Sequence, residues 1–188
     1  MSAVFRPIAA GLVAVVLLTA CGPEDAGDTE PADFARSVCA GLTSWRDGVA
    51  TDSAQLTRSF GDANDVATVR SRYGRFFSSS VQRTDQLIRA VDAAGAPKVE
   101  HGRGYSHDLA AALASARSGL AAAQKSFAAL PTNDLAGYAA GARKIRDSLG
   151  GVFTRVGATL DQLGRTYTSA DLDRAFGDEP ACQRLSGT

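Results

Sequence analysis

The sequence predicts an all-α domain: an antiparallel up-down-up-down four-helix bundle with a short C-terminal helix, closed by one disulfide. Three observations predict it. Between residues 34 and 167 the apolar residues recur at steps of three and four in four successive runs, the period of a helix face. Glycine, proline and asparagine punctuate the chain between those runs. No stretch shows the sustained alternation rich in β-branched residues that marks a strand.

The first run is Phe34, Val38, Leu42, Trp45 and Val49, at steps of four, four, three and four. Gly48 and the Thr51-Asp52-Ser53 cluster are points where it can fray or break, although Leu56 and Phe60 continue the spacing. Residues 61–64 read as a turn, with Asp62 or Asn64 available as an N-cap. The second run is Val66, Val69, Tyr73, Phe76, Phe77, Val81, Leu87, Ile88 and Val91. It stops at Gly95-Ala96-Pro97, where glycine can take the left-handed cap and proline cannot continue a helix. The third run is Tyr105, Leu109, Leu113, Ala116, Leu120, Ala123, Phe127 and Leu130, closed by Pro131-Thr132-Asn133, which offers a cap to the next. The fourth is Leu135, Tyr138, Ala142, Ile145, Leu149, Val152, Val156, Leu160, Leu163 and Tyr167. Glycines inside the runs, such as Gly119 and Gly157, each cost about 1 kcal/mol relative to alanine, and Gly150-Gly151 is the expected kink.

Runs of roughly 28 residues, each about 42 Å long as helices, pack most economically as an antiparallel bundle when the turns between them are short. That topology puts the start of the first helix and the end of the fourth at one end. Cys39 and Cys182 would be neighbours there once residues 169–185 fold back as a short helix.

The N-terminus assigns the remaining cysteine. Leu18-Thr19-Ala20-Cys21 follows a leader with one basic residue, Arg6, and an apolar stretch over residues 8–18. That stretch is shorter than the roughly 18 residues a spanning helix needs, so a cleaved secretory signal is expected. The motif resembles the bacterial lipoprotein signal family, the lipobox, at every position: Leu18 at minus three, small Thr19 and Ala20, then the thiol. The resemblance implies that the Cys21 sulfur carries a diacylglyceryl group and holds the protein at the extracytoplasmic side of a cell membrane as a lipid-anchored lipoprotein. Two acyl chains anchor stably where one does not, at about 0.8 kcal/mol per buried methylene. The expected organisation is a signal peptide over residues 1–20, lipidated Cys21 with an acidic flexible tether through residue 33, and the helical domain over residues 34–188. The tether lacks any large apolar residue before residue 33, so composition offers it nothing to bury.

In an oxidising compartment the two remaining thiols, Cys39 and Cys182, are expected to pair. Two separate buried thiols are the alternative, and the fold decides between them. Charge is balanced at 20 basic against 20 acidic residues, but residues 22–33 hold five of the acids and no base. The rest is mildly basic, short of the concentrated patch of a nucleic-acid binder, so no nucleic-acid partner is expected.

Catalytic and metal-binding patterns are weak. His101 and His107, with Asp108, are six apart, so on a helix the two imidazoles diverge by about 120° where a metal pair four apart would align. No Gly-x-Ser-x-Gly elbow and no Cys-x-x-Cys-His occurs, so neither an enzyme, a metal nor a cofactor is expected. Arg70, Arg72, Arg75, Arg83 and Arg89 read as a solvated face that could meet anionic headgroups or wall polymers, and Trp45 reads as core.

Residues 34–188 resemble in layout the actinobacterial exported helical-bundle proteins, through Cys39 with Trp45 shortly after and Pro180-Ala181-Cys182 near the end. That resemblance implies fold and export, and no activity. The expected role is a membrane-anchored, non-catalytic interaction or binding module with an envelope protein partner. The alternative is a small-ligand or lipid carrier with a cavity between helices, suggested by small residues such as Ala142 facing a long apolar core.

Overall fold

A computed structural model of the chain describes residues 25–59 and 65–186. The segment read as a lipobox, Cys21, Asp62 and Asn64 lie outside the described residues. Within them the protein is all-helical: α1 (Pro31–Ser59), α2 (Val66–Ala94), α3 (Gly102–Ala128), α4 (Leu135–Thr166), α5 (Ala170–Asp178) and α6 (Pro180–Ser186). None of these helices is long and apolar enough to cross a membrane.

Helix starts follow local chemistry. Asp65 caps α2, its carboxylate accepting from Thr68 N at 2.8 Å and Thr68 Oγ1 at 2.8 Å. The cap sits immediately before the first apolar residue, closer to it than Asp62 or Asn64. Asp134 likewise caps α4, accepting from Ala136 N and Gly137 N, in place of the Pro131-Thr132-Asn133 segment. Ser169 caps α5 through Leu172 N.

α1 runs unbroken through Gly48 and the Thr51-Asp52-Ser53 cluster. Thr51 Oγ1 donates to Asp47 O at 2.8 Å, which satisfies the hydroxyl without breaking the ladder. α4 is likewise a single helical segment through Gly150-Gly151.

Successive helices run antiparallel. Along α1 and α2, Gly41 lies against Leu87 and Ala90, and Asp52 against Ser79 and Arg83. Along α2 and α3, Tyr73 meets Phe127 and Asp85 meets Arg117. Along α3 and α4, Phe127 meets Tyr138 and Gly119 meets Val152. α5 and α6 then fold back onto α1, while no comparable packing joins α4 to α1.

Two apolar clusters hold these helices together. One, at the end where α1 begins, joins Phe34, Val38, Leu87, Val91, Leu113, Leu163 and Leu172. The other, at the far end, joins Phe77, Ala123, Phe127, Tyr138 and Ile145. Burying one such side chain is worth about 1.5–3 kcal/mol, so both ends carry substantial stabilisation.

The acidic segment before α1 is more ordered than its composition predicts. Gly27 N donates to Pro97 O at 3.0 Å, Thr29 N to Ala96 O at 3.0 Å, and Lys98 N to Thr29 O at 2.7 Å. Thr29 Oγ1 also donates to Ala94 O at 2.9 Å, and Arg103 N to Asp25 O at 3.2 Å. A flexible tether reaching residue 33 is therefore corrected: backbone pairing fixes the chain from Asp25, and α1 begins at Pro31. Composition weighs apolar side chains alone, whereas these contacts are made by main-chain groups. Gly27 and Gly102 permit them, because a Cβ at either would collide with the backbone of Ala96 or Pro97.

Candidate functional site

The two cysteines predicted to pair are brought together. Cys39 and Cys182 form a disulfide with their Cα atoms 5.1 Å apart, joining α1 to α6. Polar contacts reinforce the joint: Thr43 Oγ1 donates to Ala181 O at 3.4 Å and Arg46 Nη1 to Arg184 O at 2.7 Å. An aromatic cluster lies at the same end, with Tyr105 edge-on to both Phe34 and Tyr167 at 5.9 Å. Burial pushes the Tyr105 hydroxyl above its ordinary pKa. Tyr167 is raised by its hydrogen bond to Asp108, with Tyr167 Oη donating to Asp108 Oδ2 at 2.8 Å. Both tyrosines stay protonated near neutral pH, and Tyr167 serves as a donor.

The histidines form no shared site. His101 takes a left-handed backbone at the start of α3, with φ of 57°, and its ring lies 3.7 Å from Glu100; His107 is exposed on α3. Asp108 is engaged by Tyr167. Among the described residues no group of three or more His, Cys, Asp or Glu side chains could hold a metal ion.

The five arginines of α2 divide. Arg75 and Arg89 are exposed, as a solvated face requires, and Arg70 is half-buried. Arg83 instead turns onto α1, donating from Nε to Asp52 Oδ2 at 2.8 Å and from Nη2 to Asp52 Oδ1 at 3.1 Å. Ser79 Oγ adds a third bond to Asp52 Oδ2 at 2.6 Å. The Arg83 guanidinium, with Ser79, holds the Asp52 carboxyl below the usual carboxylate range, and Arg83 is raised in turn. Trp45 is half-buried, and its Nε1 donates to the Oγ1 of buried Thr84 at 3.0 Å. The expectation that Arg83 belongs to a solvated face is corrected on this geometry. Asp52, read only as a possible helix breaker, is the residue that sequence reasoning missed. Its position seven residues after Trp45, on the same helical stripe, was the available signal.

The face that no other helix covers belongs to α4. Phe153 and Leu160 are 40% and 37% exposed, large values for side chains of their size. With half-buried Val156 they form an i, i+3, i+7 stripe. The fourth run placed Leu160 on the core side; it is instead exposed, on a helix that packs against α3 and has little packing with α1. Asp52, Trp45 and the disulfide fix α1 to α2 and α6, which leaves the α4 stripe presented on a braced scaffold. No family model, no curated protein and no solved structure matches the chain.

Proposed function

We propose that the protein is an exported lipoprotein, held at the extracytoplasmic side of a membrane by diacylated Cys21, whose helical domain is a non-catalytic interaction module for an envelope protein. The domain is best described as an up-down-up-down four-helix bundle with an open seam between α1 and α4. The observation that carries the reading is the exposed apolar stripe of Phe153, Val156 and Leu160 on α4. Large apolar side chains aligned on one helical face are suited to docking a complementary apolar surface. The carrier alternative receives less support, since the groove between α1 and α2 is bordered by Asp52, Arg72 and Arg75, which suit polar ligands more than acyl chains.

Two measurements test the reading. Mild crosslinking in intact cells followed by capture should return the same envelope protein repeatedly from wild type and lose it from Phe153→Glu/Leu160→Glu at unchanged melting temperature. Equal capture by both proteins, or repeated capture of nothing, overturns the interaction module. Intact mass of the membrane-extracted protein should start at Cys21 with a diacylglyceryl increment; a mass starting at Met1 overturns the anchor.

A further inference from the structure

The groove between the last two turns of α1 and the first half of α2 has features that the apolar stripe does not explain. It has a volume of about 320 Å³, and Leu56 and Phe76 are its apolar lining. Arg72, Arg75 and Gln55 line it with hydrogen-bond donors. Arg72 Nη1 is buried and has no hydrogen-bond partner among the described residues. A desolvated guanidinium nitrogen without an acceptor is unfavourable, so its position calls for one.

Among the described residues, the nearby carboxylates do not supply that acceptor. Asp52 borders the groove, but both its oxygens are held by Arg83 and one of them also by Ser79. Asp65, whose charge interacts with Arg72, has both oxygens engaged by Thr68. Among the described residues that line the groove, Asp52 is paired with Arg83, and Arg72 and Arg75 carry the positive charges, with Asp65 beside Arg72. Arg75 directs Nη1 to Ser71 Oγ at 2.9 Å and retains its other N–H groups.

We propose that this groove binds a phosphate-type oxyanion, with Arg72 Nη1 as the central donor and Arg75 and Gln55 as flanking donors. Two guanidinium groups three residues apart on one helix, joined by an amide from the other, match the several oxygens of a phosphoryl group better than the two of a carboxylate. The groove lies at the opposite end of α1 from the disulfide, about 38 Å along the helix from Pro31 to Leu56. It therefore lies at the far end of α1 from Pro31, which favours a soluble or polymer-borne phosphate over a headgroup of a membrane that anchors Cys21. The site stands whether or not Cys21 is lipidated.

The test is thermal unfolding of the full chain in neutral detergent micelles, at constant ionic strength, with inorganic phosphate replacing chloride. Phosphate should raise the melting temperature of wild type by mass action. Arg72→Met should abolish that rise while leaving the phosphate-free protein at least as stable as wild type, since it removes an unpaired buried nitrogen. Arg75→Gln, at an exposed position, should weaken phosphate binding by about tenfold, the effect of losing one charge-assisted hydrogen bond, and it covers the case in which Arg72→Met does not fold. Doping the micelles with an anionic phospholipid identifies the source: a shift that depends on Arg72 and Arg75 assigns a lipid headgroup, and a shift with phosphate alone assigns a soluble one. No shift with either probe, or the same shift in wild type and both variants, overturns the proposal.

Discussion

Asp52 and its partners show how much one acid can do on an otherwise apolar stripe. Its carboxylate receives three bonds from α2, two from Arg83 and one from Ser79. Asp52→Asn should cost about 1–2 kcal/mol near neutral pH, the scale of charge-assisted bonds at a partly exposed site. The sign of its pH dependence follows from the direction of the shift. A carboxyl held below its unfolded-state pKa stabilises the fold fully above about pH 5 and loses that contribution as the pH falls toward and through the folded-state value. Urea unfolding of wild type and Asp52→Asn should therefore differ near neutrality and converge on acidification. The Trp45–Thr84 bond offers a second residue-level test, because Trp45 is the sole tryptophan. Thr84→Val keeps the shape and removes the acceptor, so it should cost about 1–2 kcal/mol and change the fluorescence of the native state. Neither partnership was legible from spacing, since helical period says which face a residue occupies and nothing about the residue opposite it.

At the scale of the helix, the glycines of α3 and α4 have unlike roles that the sequence presents as alike. A Cβ on Gly119 would come within 2.6 Å of Val152 Cγ1 and 3.2 Å of Val152 Cβ, so this glycine sets how closely α3 and α4 approach. Gly119→Ala gains helix propensity of about 1 kcal/mol but meets a branched side chain, and a net loss of about 1 kcal/mol is expected. Val152→Ala in the same chain should recover part of that loss, and chemical denaturation of the double-mutant cycle measures the coupling. A Cβ on Gly157 would meet nothing within 4 Å, so Gly157→Ala should stabilise by about 0.5–1 kcal/mol in the same assay. The start of α1 makes the complementary point. Its acidic approach segment looked free to sample many conformations, yet main-chain hydrogen bonds to Ala96 and Pro97 hold it.

For the whole molecule, the disulfide links α1 to α6 across nearly the full domain and joins helices that already pack against each other. In the chain-entropy description, closing so long a loop limits the unfolded ensemble strongly. Cys39→Ser/Cys182→Ser is therefore expected to lose about 2–5 kcal/mol, read from urea midpoints of the oxidised protein and the variant. The four long helices, their order and most of their boundaries were determined by the sequence alone, and so was the choice of Cys39 and Cys182 as candidates to pair; the fold decided that they do pair, and that the C-terminal piece is two helices, α5 and α6, where one was expected. Helical periodicity, turn residues and a two-thiol count are properties of the chain that survive any arrangement of the helices. The exposure of Phe153 and Leu160, the capture of Asp52 by Arg83 and the anchoring of residues 25–30 were decided only by tertiary structure. Each depends on which helix or loop lies opposite, and an apolar period is the same on a stripe that is covered and on one left open.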